Sequence, residues 1–245
     1  RSWKMFIKDK IKRILIFEAG CIGDTLATIP ALKVMREKFP DARIDRIAVP
    51  MVRELLETCP YVDDIILYDR DGKGRGLAGK IRFLFSMRSR KYDLFVNLHI
   101  PSPHRRFIYY LRDNLFAYLT GAKYRVGYWV RGTGIWLTDG PLADNMDRRP
   151  AVDAVLELVK CINTDISAVD KSSKICPKVD DVWSTIIDEQ YVDMLLDRYG
   201  ISQQDLVIGI HPGTRHGYAR WVNEWFARVG DELISKYNAR VIFTG

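Results

Sequence analysis

A continuous apolar run, Ile14-Leu-Ile-Phe17, breaks into Gly20-Cys-Ile-Gly-Asp24 and resumes as Thr25-Leu-Ala-Thr-Ile-Pro-Ala-Leu32. A strand that buries both faces reads as an unbroken apolar run, and sheets of that kind are parallel and covered by helices. The arrangement recurs near the other end, where Val207-Ile-Gly-Ile-His211 leads into Pro212-Gly-Thr-Arg215 and then Arg220-Trp221. Each segment predicts a strand, a Gly-containing loop and a helix. Such a unit aims backbone N–H groups and a loop side chain at a ligand beyond the strand's C-terminal end. Two of them far apart predict two α/β domains facing one cleft. The chain stops after Val241-Ile-Phe-Thr-Gly245, just past a strand, so the second domain is expected to be incomplete.

Short β-rich runs alternate with longer helical stretches between these segments, as βαβ units require. Strands are predicted at 13–19, 43–49, 64–68, 92–98 and 124–127, and helices at 25–38, 52–58, 77–89, 105–119 and 150–163. Asp24 is expected to cap the first helix, with Leu26, Ile29, Leu32, Val34 and Met35 on its apolar face and Pro30 within its first two turns. Residues 128–141 read as a loop or irregular hairpin. The domains predicted are 1–163, an α/β unit, then a polar linker at 164–187 around Pro177, then the start of a second unit at 188–245. The last part should run as helix 188–199 stopped by Gly200, strand 207–211, helix 223–237 and strand 240–244.

With 245 residues, 47% of them hydrophobic, the chain can bury a large core. Its 38 Lys and Arg against 31 Asp and Glu leave a net charge of +7, which favours an anionic partner. Four widely spaced cysteines, Cys21, Cys59, Cys161 and Cys176, form no CxxC or Cys/His metal pattern and read as free thiols. No run approaches a membrane span, and the first twelve residues lack the apolar core of a secretory signal. A cytoplasmic protein is expected.

Three groups of residues could carry chemistry. Asp24 lies at the tip of the first turn among small residues, Gly20 and Gly23, which allow a tight turn and a ligand's approach; capping alone would also explain it. The spacing of these glycines is not that of a dinucleotide fingerprint, although Asp45 lies roughly where a ribose-binding acid could. At the second turn, Gly213 and Thr214 with Arg215 and Arg220 suit a diphosphate: amides and a hydroxyl for the oxygens, guanidinium groups for charge pairing. His211 reads as a strand-end histidine satisfied by a neighbour. The third group is basic. Arg70, Lys73 and Arg75 occupy a Gly-rich loop after the third strand, and Arg105 and Arg106 follow Asn97-Leu-His99 after the fourth. Both loops open on the same sheet edge as Asp24 and favour an anionic ligand, whereas the cations between them, from Lys80 to Lys91, fit solvated helix faces. They lack the aromatic platforms of a single-strand nucleic-acid site, so nucleic acid is not an expected partner. Asp69-Arg-Asp71 is embedded among cations, and there is no P-loop or nucleophile elbow. No metal and no cofactor are expected.

Taken in order along nearly the whole chain, Ile14-Leu-Ile-Phe17, Gly20-Cys-Ile-Gly-Asp24, Thr28-Ile-Pro-Ala-Leu32, Phe39-Pro-Asp41, Tyr92-Asp-Leu-Phe-Val-Asn-Leu-His99, Arg125-Val-Gly-Tyr128, Ile208-Gly-Ile-His-Pro-Gly213, Arg220-Trp221 and Ala239-Arg-Val-Ile-Phe-Thr-Gly245 resemble glycosyltransferase family 9, the bacterial heptosyltransferases of lipopolysaccharide core assembly. The resemblance implies a GT-B fold of two Rossmann-like domains, the C-terminal one truncated here, and metal-independent inverting transfer. Asp24 would be the general base towards the acceptor hydroxyl. Gly213, Thr214, Arg215 and Arg220 would hold the diphosphate of a nucleotide-sugar, ADP-heptose by the same analogy. Gly23, Arg70, Lys73, Arg75, Arg105 and Arg106 would meet a phosphorylated Kdo-lipid A acceptor, placing the protein peripherally at the inner membrane.

Two departures qualify the resemblance. Members commonly carry a Lys two residues before the Trp of the second motif, where this chain has Ala219. The family's later donor segment lies beyond Gly245, so the piece is expected to be inactive alone. Another nucleotide-sugar as donor, a non-catalytic binding protein of the same fold, and a nicotinamide oxidoreductase remain the competing readings.

Overall fold

The structure, a computed structural model, describes residues 11–69, 76–101, 106–143, 149–162, 186–214, 217 and 220–244. Arg1–Trp183 and Ser184–Gly245 form two compact units.

The first unit holds one parallel sheet in the order β3-β2-β1-β4-β5. Its strands are β1 (Arg13–Phe17), β2 (Arg43–Ala48), β3 (Asp64–Leu67), β4 (Leu94–Asn97) and β5 (Tyr124–Val126). The crossovers contain α1 (Ile22–Lys38), α2 (Arg53–Glu57), α3 (Gly76–Ser89) and α4 (Phe107–Leu119), and α5 (Ala151–Lys160) follows β5. The order reverses between β1 and β4. Such a switch point is where an open α/β sheet offers a crevice beyond its strand ends.

The apolar run of β1 divides between two cores because side chains alternate along a strand. Ile14 and Ile16 join Leu32 and Met35 of α1 and Val155 and Leu158 of α5. Leu15 and Phe17 face the other way, towards Met87 of α3 and Ala117 of α4. Ile14, Leu15 and Ile16 are wholly buried, each contributing roughly 1.5–3 kcal/mol of hydrophobic stabilisation. With helices on both faces, the strand ends and their loops are the parts of the sheet left for a ligand.

Helix α1 starts earlier than predicted, at Ile22. Cys21 is its N-cap, and Asp24 is the third helical residue, not the cap. The physical reason is a reach-back: Asp24 Oδ2 accepts the Cys21 N–H at 3.0 Å, the acidic half of a capping box. Gly23 is therefore helical and makes no tight turn. Pro30 sits in the helix interior, buried, rather than in its opening turns. The segment after β5 contains a short 3-10 turn, Thr133–Trp136, tied to α4 through Asn114 Nδ2 and Thr133 Oγ1 at 3.0 Å.

In the second unit β6 (Val207–Ile210) and β7 (Arg240–Phe243) pair in parallel, with α6 (Ile186–Arg198) and α7 (Asn223–Tyr237). Gly200, at φ +64°, ends α6 in the left-handed geometry that a helix C-terminus favours and glycine adopts without strain. Among its described residues only Gly230 and Ala239 are buried, and strand residues Val207 and Phe243 are 41% and 52% exposed. Most of the predicted linker, including Pro177, lies outside the described residues.

Candidate active site

The turn between β1 and α1 is fastened from below by buried charge. Glu18, the residue after β1, is 2% exposed and pairs with Arg46, wholly buried in β2, at 2.7 Å. The register places Arg46 beside Ile16, so its side chain lies on the α1 face of the sheet. There Arg46 Nη1 donates to Thr28 Oγ1 at 2.9 Å, and Thr25 Oγ1 donates to Glu18 Oε2 at 3.1 Å. The other carboxylate oxygen, Glu18 Oε1, accepts the Gly20 N–H. Burial pushes the Arg46 guanidinium below its ordinary value, and the Glu18 carboxylate opposes that shift. Two strands and the first turns of α1 thus converge on one ion pair.

Gly20 runs between two carboxylates. A Cβ there would lie 2.4 Å from Glu18 Oε1 and 2.5 Å from Asp24 Oδ2, which explains the glycine by crowding rather than by dihedral angle. At Gly23 a Cβ would meet nothing within 4 Å. Asp24 is exposed, and among the described residues its carboxylate accepts one bond, from Cys21. Its place in the first turn of α1 turns the carboxylate towards solvent at the helix start.

Across the switch point the β4 end is joined to the β1 end. The Ala19 N–H donates to His99 Nε2 at 3.1 Å, and the His99 N–H donates to Asn97 Oδ1 at 3.2 Å. Asn97 Nδ2 in turn donates to Asn114 Oδ1 of α4 at 3.2 Å. Asp113 Oδ2 lies 3.2 Å from His99 Nδ1, but that buried nitrogen has no well-aligned hydrogen bond. A rigid shelf results, with Asp24 at its exposed rim.

Of the basic residues predicted at this edge, Arg106 is exposed at the start of α4, while Arg70, Lys73, Arg75 and Arg105 lie outside the described residues. Two members of the wider basic run are structural. Arg90 bridges Asp64 at 3.1 Å and Asp45 at 3.4 Å, and Arg88 caps α4 through the Leu119 carbonyl at 3.0 Å. Asp45 is not a ribose ligand: it is wholly buried, 2.8 Å from Arg43 and 2.6 Å from the Tyr92 hydroxyl. Burial and then that hydrogen bond push the Tyr92 phenol far above its ordinary value.

In the second unit the described residues of the turn after β6 are half-buried or exposed. His211 Nδ1 lies 3.1 Å from Thr244 Oγ1, the neighbour expected to satisfy it, and its ring covers Gly213, where a Cβ would come within 3.0 Å. Thr214 and Arg220 are exposed, and Arg220 N donates to the Gly217 carbonyl at 3.1 Å. Trp221 stacks near Trp225 and Phe226 at the start of α7. Arg215 and Ala219 lie outside the described residues. Among the described residues no group of three or more His, Cys, Asp or Glu could hold a metal ion, and no helix is long and apolar enough to cross a membrane.

Sequence reading missed Glu18, Arg46, Thr25 and Asn114 as parts of this region. The available signal was weak, because Arg46 is one of three charged residues in β2, and it is burial of its guanidinium that demands a partner.

No protein-family model matches the chain. It is 25% identical over 217 residues to lipopolysaccharide heptosyltransferase 3 of Escherichia coli K12, covering 86% of this chain and 57% of that protein. To lipopolysaccharide heptosyltransferase 2 of Salmonella typhimurium it is 22% identical over 233 residues, covering 94% and 63%. The chain therefore spans about three fifths of these relatives' length. Among solved structures, a glycosyl transferase family 9 protein from Veillonella parvula superposes with TM-score 0.71 at 20% identity, over 96% of this chain and 62% of that one. Escherichia coli heptosyltransferase WaaC with ADP-2-deoxy-2-fluoro heptose gives TM-score 0.59 at 15% identity, over 95% and 69%. The fold is thus the α/β fold of these GT-B enzymes. In sequence the chain is similar to lipopolysaccharide heptosyltransferases, and in fold to a glycosyl transferase family 9 protein.

Proposed function

We propose that the protein to which this chain belongs transfers a heptose from a nucleotide-sugar, ADP-heptose by analogy with its relatives, to the inner core of lipopolysaccharide. The observation that carries this reading is Asp24. It is an exposed carboxylate at the C-terminal edge of a doubly wound sheet, set beside the open space at Gly23 and fixed from below by the Glu18–Arg46 network.

In the reaction, Asp24 takes the proton of an acceptor hydroxyl as that oxygen attacks C1 of the heptose. The bond from C1 to the ADP oxygen breaks on the opposite face, which inverts the anomeric centre. Gly213 amide, Thr214, Arg215 and Arg220 receive the diphosphate and its growing negative charge. Arg106, with Arg70, Lys73, Arg75 and Arg105, pairs with phosphates of the Kdo-lipid A acceptor. None of these steps calls on a metal ion. The protein works in the cytoplasm at the inner membrane, where its acceptor resides.

The test is ADP release by the full-length gene product given ADP-heptose and Kdo-lipid A, with and without Asp24→Asn. Positioned proton transfer contributes about 10²–10⁴-fold, so the variant should lose at least about a hundredfold in kcat with its melting temperature nearly unchanged. Retention of full turnover by Asp24→Asn would reduce Asp24 to a helix-capping residue. An inactive wild type that turns over with a different nucleotide-sugar would reassign the donor, a reading that Ala219 in the second motif favours.

A further inference from the structure

Helix α3 is apolar on two faces but buries only one. Met87 is 1% exposed, and Phe83 stacks on Phe116 of α4 with ring centroids 6.0 Å apart. Leu77, Ile81 and Phe85, four residues apart and so on one stripe, point outward at 75%, 44% and 65% exposure. Beside them, the first turn of α4 exposes Phe107, Ile108 and Tyr109. Both helices return from C-terminal strand ends, so their first turns lie along the sheet edge that carries Asp24. Six large apolar side chains in two adjacent helices are more than the scattered exposure of an ordinary surface.

Among the described residues of these two helices the exposed charge has one sign. Helix α3 contains no acidic residue, and the single acid of α4, Asp113, is 1% exposed. Lys80, Arg82, Arg88, Arg106 and Arg112 are all exposed. Even with Arg112 neutralised by Asp113 at 2.7 Å, the other four cations face no acid from either helix. A second copy of the chain would set like charge against like. An apolar stripe edged by cations fits instead the boundary between phosphate headgroups and acyl chains.

We propose that α3 and the first turn of α4 seat the protein on an anionic phospholipid bilayer. Leu77, Ile81 and Phe85 enter the headgroup boundary, and Lys80 and Arg82 contact lipid phosphates. This deepens the proposed function by naming how the sheet edge bearing Asp24 meets a membrane-borne acceptor.

The test is co-sedimentation of the full-length protein with phosphatidylcholine vesicles, with and without phosphatidylglycerol. No sugar donor or acceptor is present, so the result stands whether or not heptose transfer is the activity. Binding should require phosphatidylglycerol and fall with salt. The combined Leu77→Ser, Ile81→Ser and Phe85→Ser variant should bind about tenfold less or worse. Lys80→Ala with Arg82→Ala should lose roughly fivefold per charge removed. Because these side chains are exposed, melting temperatures should stay unchanged; if the triple variant misfolds, Phe85→Ser alone carries the same comparison. Equal binding to both vesicle types, or wild-type binding by the apolar variants, would overturn the proposal. So would a concentration-dependent dimer that the triple variant abolishes in a protein that ignores vesicles.

Discussion

The turns β1–α1 and β6–α7 are written in nearly the same way and supported very differently. Each is an apolar strand, a glycine-containing loop and a helix start. The first rests on a buried ion pair, two threonine hydroxyls and a histidine bond across the switch point. In the second, among the described residues, His211 Nδ1 meets Thr244 Oγ1 across the strand ends, and His211, Thr214 and Arg220 are exposed. Local sequence chooses the strand-loop-helix form. Distant residues, Arg46 above all, decide how firmly the loop is held, and a group that must meet a proton within hydrogen-bond reach needs the firm version.

The sharpest way to break this contrast is to remove the support. Glu18→Ala strands the Arg46 charge in the core and should cost about 3–5 kcal/mol in denaturant unfolding. His211→Ala, on an exposed strand end, should stay within about 0.5 kcal/mol. Glu18→Leu combined with Arg46→Met should recover most of the lost stability, while losing the Thr25 and Thr28 hydroxyl contacts that tie α1 to the ion pair. A Glu18→Ala cost below that of an ordinary surface change would erase the distinction between the turns.

A smaller effect separates glycines within the first turn. Gly20→Ala must push apart two carboxylates and should destabilise by about 1–3 kcal/mol. Gly23→Ala, helical and unobstructed, should stabilise by up to about 1 kcal/mol. If the proposed acceptor approaches there, the same methyl group should raise KM for it. Equal thermal shifts for the two variants would show that the crowding at Gly20 is relieved at no cost.

The pH dependence of the two units sharpens the comparison further. Burial pushes the Asp63 carboxyl up, but the Ile44 N–H bond and then Arg36 outweigh it, leaving a value below the ordinary one. A depressed carboxyl stabilises the folded state above its unfolded value and loses that contribution as pH falls through the folded one. The melting-temperature gap between wild type and Asp63→Asn should therefore be full near neutrality and close as pH drops below about 4. Asp205 in the second unit is also depressed, by Ser202 first and Arg240 after it, and its side chain is the less exposed of the two, 24% against 41% for Asp63. Screening by solvent should keep both gaps small.

The mildest test is chemical. Cys21 is exposed at the start of α1, whereas burial, then Asp139 and Glu157, push the Cys161 thiol up to about 11, and burial also raises Cys59. Iodoacetamide near pH 8 should modify Cys21 well before Cys161 or Cys59, as peptide mapping would read. Comparable rates at all three would mean that the first unit opens more readily than its packing indicates.

The sheet was legible because its message is local and repeated. Ile14-Leu-Ile-Phe17 and Leu94-Phe-Val-Asn97 announce strands buried on both faces, and α7 begins and ends at the predicted positions, 223 and 237. The helix start at Ile22 was not legible, because it depends on a side chain reaching back rather than on a preferred cap. Asp45 misled for a related reason: its spacing from the first loop suits a ribose, but its burial beside Tyr92 is set by a residue far along the chain. The Glu18–Arg46 pair joins positions on neighbouring strands. Each residue alone reads as an ordinary polar interruption.

That pair also limits how the chain can drift over generations. Losing either member leaves a bare charge in the core, so single changes at positions 18 and 46 pass through a poorly folded intermediate. Relatives should vary these positions together, as a charged pair, a swapped pair or two neutral residues. An alignment deep enough to detect correlated substitution would then recover, from sequences alone, the contact that no single sequence discloses.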